Sequence, residues 1–254
     1  MANRSLGKAK KDKNDEFYTQ LVDIEKELSN YTEQLRGKVI FCNCDDPFES
    51  NFFKHFAMSF NQLGLKKLIA TCYNPSPIAG TQLALFDVNP HLKKVMTKNT
   101  KHAYKIEITE VKDYNEDGSI DLSDVEYLVK HNGNSIKLLE GSGDFRSQEC
   151  IELLKESDIV VTNPPFSLFL EYVAQLIKYD KKFIIMGNMN SLHKKEIFKL
   201  IKENKLWTGY GFNLTCEFFM PDHYQKWDRI ENGKKIGKVP AITWFTNLDT
   251  HKRH

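Results

Sequence analysis

Short apolar runs bounded by turn residues alternate along this chain with longer stretches whose apolar residues recur every three to four positions. That alternation restricts the fold more than any other feature. Residues Asp15–Leu35 put Phe17, Leu21, Ile24, Leu28, Tyr31 and Leu35 on one helical face, and Gly37 closes the segment. Buried strands are predicted at 38–42 and 66–73, with the amphipathic stretch Glu49–Leu63 between them and Gly64 at its end. The alternation is regular again from Arg146. It gives a helix to Glu156, a strand Asp158–Thr162, a helix Ser167–Tyr179, a strand Lys182–Met186 and a helix Leu192–Glu203. Strands near Trp207–Phe212, Thr215–Met220 and Ala241–Phe245 follow. This order predicts an α/β class with a doubly wound, mostly parallel sheet, its last strands antiparallel because tight turns join them. Residues 81–140 are less regular and read as an insertion carrying hairpins. Strand-like runs there are Leu83–Val88, Tyr104–Thr109 and Ser135–Leu139, with a helix over Ser123–Lys130. The whole, 1–254, is read as one domain.

Composition narrows the class. With 254 residues, 41% of them hydrophobic, the chain can bury a core of one large α/β domain. The stretch Met1–Asn14 is basic and polar, and no eighteen apolar residues run together, so neither a signal peptide nor a membrane span is expected and the reading is cytoplasmic. Five cysteines without paired spacing argue for free thiols rather than a disulfide framework or zinc site. Cys42 and Cys44, one residue apart, fit a buried strand end better than a metal pair, and the histidines form no metal-binding or nucleophilic arrangement. The net charge is only +2, but its distribution is uneven: residues 107–126 hold eight acids and one lysine, and 178–206 hold eight lysines and three acids. A solvated face accounts for either run, and the lysine run also suits a phosphate backbone.

One corner does not fit a plain strand-to-helix turn. Asn163-Pro164-Pro165-Phe166 follows the apolar run that ends at Thr162, where ligands bind in open α/β sheets. Proline fixes its own φ and pushes the preceding residue out of the helical region, so Asn163 and Pro164 are held extended with their oxygens aimed. Two such oxygens suit the two hydrogens of one planar amino group, and Phe166 offers a face for a flat base. A helix-opening proline explains one of these residues but not the set.

The Asn-Pro-Pro-Phe stretch resembles the catalytic motif of amino-methyltransferases that use S-adenosylmethionine. Residues 13–20, 38–56, 64–74, 142–166 and 187–198, in this order, resemble the EcoRI-type adenine-specific DNA methyltransferase family over nearly the whole chain. The resemblance implies a Rossmann-like methyltransferase sheet and methylation of adenine N6 in double-stranded DNA. It also implies a restriction-modification system with a GAATTC-like site, and a cognate endonuclease that need form no stable complex with this chain. Asn163, through its amide oxygen, and Pro164, through its carbonyl, would accept the hydrogens of the target amine, beside Pro165. Phe166 would stack on an adenine flipped out of the duplex.

For the cofactor, the resemblance gives Asp144 the adenine amino group of S-adenosylmethionine and puts Phe145 beside that ring. Asp144 also reads as an N-cap of the predicted helix Arg146–Glu156. The loop Asn43-Cys44-Asp45-Asp46 stands where most such enzymes carry a glycine-rich turn and has no glycine; Asp45, more than Asp46, suits the cofactor's ammonium group. Thr71-Cys72-Tyr73 stands where an acid for the ribose is expected. Phe17, Tyr18 and Thr19 match a motif lining the methionine side of the pocket, although Phe17 also fits the first helix's apolar face. By the same resemblance, family members continue past the end of this chain. Two alternatives stay open: another planar amine as substrate, in RNA or on a protein glutamine, and a degenerate methyltransferase fold that only binds DNA.

Overall fold

The structure is a computed structural model, and it describes residues 18–44, 47, 50–73, 103–131, 136–220, 225–231 and 233–253. The strands are β1 (Tyr18–Thr19), β2 (Val39–Cys42), β3 (Lys67–Thr71), β4 (Tyr104–Ile108), β5 (Ile136–Leu138), β6 (Ile159–Thr162), β7 (Lys182–Asn188), β8 (Trp207–Thr208), β9 (Leu214–Met220), β10 (Arg229–Glu231) and β11 (Lys234–Thr246). The helices are α1 (Leu21–Leu28), α2 (Thr32–Leu35), α3 (Asn51–Met58), α4 (Phe60–Leu63), α5 (Leu122–His131), α6 (Gln148–Glu156), α7 (Phe169–Lys178) and α8 (Lys195–Lys202). The chain divides into two compact units, Tyr31–Val161 and Met1–Asn30 with Thr162–His254.

In the first unit β2 runs parallel to β3 on one side and to β6 on the other, with Phe41 opposite both Ile69 and Val160. All four residues of β2 are buried, which is why its sequence is an unbroken apolar run. Asp158 fixes the start of β6, since its carboxylate accepts the Val39 N–H at 2.8 Å while its own N–H donates to the Val39 carbonyl at 2.9 Å. Antiparallel β4 continues from β3 and β5 from β4, so two of the strand runs expected in the irregular region join this sheet. The run Leu83–Val88 lies outside the described residues. Helix α3 is capped by the Ser50 hydroxyl, which accepts from the Phe53 N–H, and buries Phe52, Phe53 and Phe56. The predicted stop at Gly64 is a left-handed residue, φ 60°.

The acidic run has a local explanation. Asp124 is fully buried, and its carboxylate accepts the N–H groups of Tyr114, Asn115 and Asp121 at 2.6, 3.3 and 3.0 Å. Asp113 holds the N–H groups of Asp117 and Gly118 in the same way. These carboxylates shape their own loop.

The second unit is antiparallel. β11 pairs with β7 through Ile242–Thr246 and with β9 through Lys235–Val239, and shorter partners β1, β8 and β10 are added to β9 or β11. Helix α7 buries Phe169, Tyr172, Val173 and Leu176. The two units together give the α/β class expected, with a parallel centre and antiparallel C-terminal strands. Several local expectations differ, and the strand expected near Trp207–Phe212 is only β8, Trp207–Thr208. The long first helix is instead α1, a 3-10 turn at Ser29–Tyr31 and α2, with Tyr18–Thr19 in a strand. The last strand starts at Lys234 rather than Ala241. No helix among the described residues is long and apolar enough to cross a membrane.

Candidate active site

The Asn-Pro-Pro-Phe corner begins where β6 ends. Asn163 is buried, 6% exposed, and Pro164 is buried beside it. Pro165 has φ −53° and ψ 124°, an extended conformation that stops the strand, and its carbonyl accepts the Leu168 N–H at 2.9 Å. The chain thus enters a 3-10 turn at Phe166–Leu168 with the Phe166 ring half-exposed, and only then α7. The side-chain oxygen of Asn163 is buried and accepts no hydrogen bond among the described residues, although the residue makes other contacts.

What holds the corner is a glycine that the sequence reading did not single out. A Cβ at Gly187 in β7 would stand 2.5 Å from Phe169 Cε2 and 2.9 Å from Phe245 Cε2, and the two phenyl rings sit 4.9 Å apart. Helix α7 is seated on β7 through this gap. One residue earlier, Met186 Sδ accepts the Thr19 hydroxyl at 3.2 Å. Thr19 is buried, and β1 is held by pairing of Tyr18 with Phe219 and Thr19 with Phe218. Thr19 and the corner are therefore tied to adjacent residues of one strand. Phe17 lies outside the described residues.

The other predicted residues belong to the unit Tyr31–Val161. Asn43 is buried at the end of β2. Cys44 follows with φ 86°, the left-handed region in which glycine is at ease, so the turn keeps a glycine-like path without the glycine. Asp45 and Asp46 lie outside the described residues. The Asp144 carboxylate takes the Arg146 N–H at 2.9 Å, its Nε at 2.7 Å and its Nη2 at 2.6 Å. Phe145 is buried with the Arg146 guanidinium 5.1 Å from its ring centre. Asp144 does not cap the following helix: that role belongs to Ser147, whose hydroxyl accepts the Cys150 N–H, and the helix begins at Gln148 rather than Arg146.

Gly143 positions this pair. Its φ is 73°, and a Cβ there would meet the Cys72 carbonyl oxygen at 2.0 Å and Ala103 Cβ at 2.9 Å, so the loop lies directly against the chain that leaves β3. Glu149 secures the loop from the other side by accepting the N–H groups of Glu140 and Gly141 at 3.0 and 2.7 Å. Packing without a side chain at Gly143 thus fixes where Asp144 and Phe145 stand. S-Adenosylmethionine, which the resemblance implies, ends in an adenine ring whose amino group can donate to a carboxylate such as Asp144. The only sequence sign of Gly143 was its place one residue before Asp144.

One cavity of about 560 Å³ opens beside α1, lined among others by Asp23, Glu27, Tyr210, Cys216 and Trp244, and it includes no predicted site residue. Burial raises the Asp23 carboxyl above its usual range, and burial together with the Asp23 charge pushes the Cys216 thiol up to about 12.

An α/β fold with Asn-Pro-Pro-Phe at the carboxyl end of a strand is the arrangement of the amino-methyltransferase class that the sequence resembles. Over residues 5–254 the chain matches the family described as adenine-specific methyltransferase EcoRI, and it belongs to that family. It is 46% identical over 259 residues to the Type II methyltransferase M.EcoRI of Escherichia coli, covering 99% of this chain and 71% of that one. It is 37% identical over 249 residues to the Type II methyltransferase M.MgeORF184P of Mycoplasma genitalium, with 96% and 64% covered. It is 35% identical over 256 residues to the Type II methyltransferase M.MpnI of Mycoplasma pneumoniae, with 98% and 66% covered. The chain thus spans about two thirds of the length of these relatives.

Proposed function

We propose that this chain methylates the N6 amino group of an adenine flipped out of duplex DNA, at a GAATTC-like site of a restriction-modification system. The observation that carries the reading is the buried Asn163 at the end of β6, followed by Pro164, Pro165 and the half-exposed Phe166, in a member of the adenine-specific family. Bound S-adenosylmethionine supplies the electrophilic methyl group.

The protein's part is orientation. An exocyclic amine is a weak nucleophile while its lone pair is conjugated with the ring. Asn163 Oδ1 and the Pro164 carbonyl accept its two hydrogens and favour the pyramidal form, with the lone pair directed out of the ring plane. Phe166 stacks on the extruded base and offsets part of the lost stacking. Asp144 and Phe145 hold the adenine end of the cofactor on the Gly143 cradle. Asn43, Cys44, Asp45 and Asp46 serve its methionine end, as do Phe17, Tyr18 and Thr19. The place of action is the cytoplasm, alongside an endonuclease of the same sequence specificity.

The test is transfer of radiolabelled methyl from S-adenosylmethionine to duplexes with and without GAATTC, using the unaltered chain and Asn163→Ala. Site-dependent label on adenine, lowered about 10²–10³-fold in Asn163→Ala, is expected. Label on RNA or on a glutamine peptide with none on DNA would overturn the reading.

A further inference from the structure

Ile242 of β11 stands opposite Asn188, the last residue of β7, so the part of β11 from Lys234 to Ala241 runs on beyond the carboxyl end of β7. Ligands of open α/β sheets bind at that end. This part is set off by a register shift between Val239 and Ile242, with Ala241 at φ 61°. Beyond it β1, β9, β11 and β10 lie side by side, with the β10–β11 hairpin forming a ribbon at the edge. One side of this sheet is buried through Cys216, Phe218 and Met220, and Ile236, opposite Phe219 in the register, is covered on the other side. Its outer edge is not. All three residues of β10 are exposed, Ile230 by 58%, and Trp227 just before it by 43%.

This edge is built. Arg229 grips the Glu217 carboxylate through two hydrogen bonds of 2.8 Å and Glu231 through two more of 3.1 and 3.2 Å. Asp228 donates its N–H to the Ile236 carbonyl and accepts the Lys238 N–H, both across the ribbon. Gly237 leaves room for Met220, whose Cε a Cβ would meet at 2.5 Å. Residues 225–238 contain five basic and two acidic residues. The result is an edge that displays Trp227 and Ile230, with Lys226 next to the indole and Lys234 and Lys235, consecutive in β11, on opposite faces, Lys234 lying 5.3 Å from the Phe219 ring centre.

From this we infer that the ribbon is a docking surface for duplex DNA. The two-stranded β10–β11 hairpin at this edge has the width that the major groove admits, lysines on it meet phosphates, and an exposed aromatic and an aliphatic residue suit base edges and sugars. The inference deepens the proposed function and rests on it, since it names the element that holds the DNA whose adenine Asn163 receives. Lys226, Lys234 and Lys235 make sequence-independent contacts, whereas Trp227 and Ile230 contribute to discrimination between sites.

Titration of the full chain with a fluorescent GAATTC duplex and an unrelated duplex, at several salt concentrations, tests this. Lys234→Gln/Lys235→Gln is expected to weaken both duplexes and to lower the slope of log affinity against log salt by about two. Trp227→Ala is expected to narrow the difference between the duplexes, and quenching of tryptophan fluorescence by DNA should disappear in Trp227→Phe. S-Adenosylmethionine affinity should stay unchanged in all three, which shows that the fold is intact. If the unaltered chain binds and methylates DNA and these variants do so with the same affinity and salt slope, the ribbon assignment falls and the methyltransferase reading stands. If the unaltered chain binds no duplex, both fall. Self-association that Trp227→Ala abolishes while DNA binding persists would show that the strip joins two copies of the chain, and would also overturn the assignment.

Discussion

Glu27 and Gly211, 184 residues apart in sequence, are joined by a hydrogen bond of 2.7 Å from the glycine N–H to the carboxylate. The second carboxylate oxygen accepts the Tyr210 N–H at 2.9 Å, and Glu27 is 2% exposed. One buried acid on α1 thus fixes the turn between β8 and β9.

Glu27→Ala should therefore be costly although no catalytic group is involved. Removing the carboxylate leaves two N–H groups at a largely buried site without their acceptors, a loss of about 2–4 kcal/mol. Urea unfolding should show a midpoint shift of that size with little change in slope. A shift below about 1 kcal/mol would mean that water satisfies the pair.

Gly143→Ala tests the cradle. The residue has φ 73° and no space before the Cys72 carbonyl, so even a methyl group must move the loop that carries Asp144 and Phe145. Left-handed strain plus overpacking amounts to roughly 2–5 kcal/mol. Calorimetry should show S-adenosylmethionine affinity reduced at least about tenfold, and unchanged affinity would remove the loop from the cofactor site.

His55 gives a pH dependence. Burial lowers its imidazole from the ordinary 6.5 to about 4, so the fold favours the neutral ring. The contribution is complete above pH 6.5 and is lost as pH falls through about 4, up to about 3 kcal/mol in all. In His55→Leu the stability curve over that interval should be flatter, and an identical slope would show that other groups dominate acid unfolding.

Cysteine chemistry reports on the first turn. Cys42, Cys72, Cys150 and Cys216 are buried and Cys44 is half-buried; all are free thiols. The Cys216 thiol, pushed up to about 12, is essentially un-ionised at pH 8. A thiol reagent at pH 8 should modify Cys44 first, read by mass spectrometry. Saturating S-adenosylmethionine should slow that modification, and indifference to the cofactor would place it elsewhere.

Much of this was legible in the chain. The apolar run of β2, the stop at Gly64 and the Asn-Pro-Pro-Phe corner all appear where period and proline chemistry put them, because burial on both faces and fixed φ leave few options. The ribbon was missed, since the first half of β11 is half lysine and all of β10 is exposed, without the apolar alternation that marks a strand. Its order comes from Arg229, Glu217 and Asp228, pairings that cross between strands and leave no periodic trace. Gly143 and Gly187 were hidden for a related reason: their value lies in what would collide with them, which spacing alone does not show.

The bulge in β11 has an evolutionary consequence. In a regular strand, one inserted residue turns every later side chain to the opposite face. Here an insertion or deletion on the Lys234–Val239 side can be taken up at the irregularity before Ile242, leaving the buried pairing of Ile242–Thr246 with β7 in register. The exposed strip is thus free to drift in length and sequence, and with it the choice of partner, while the framework beneath it stays constant.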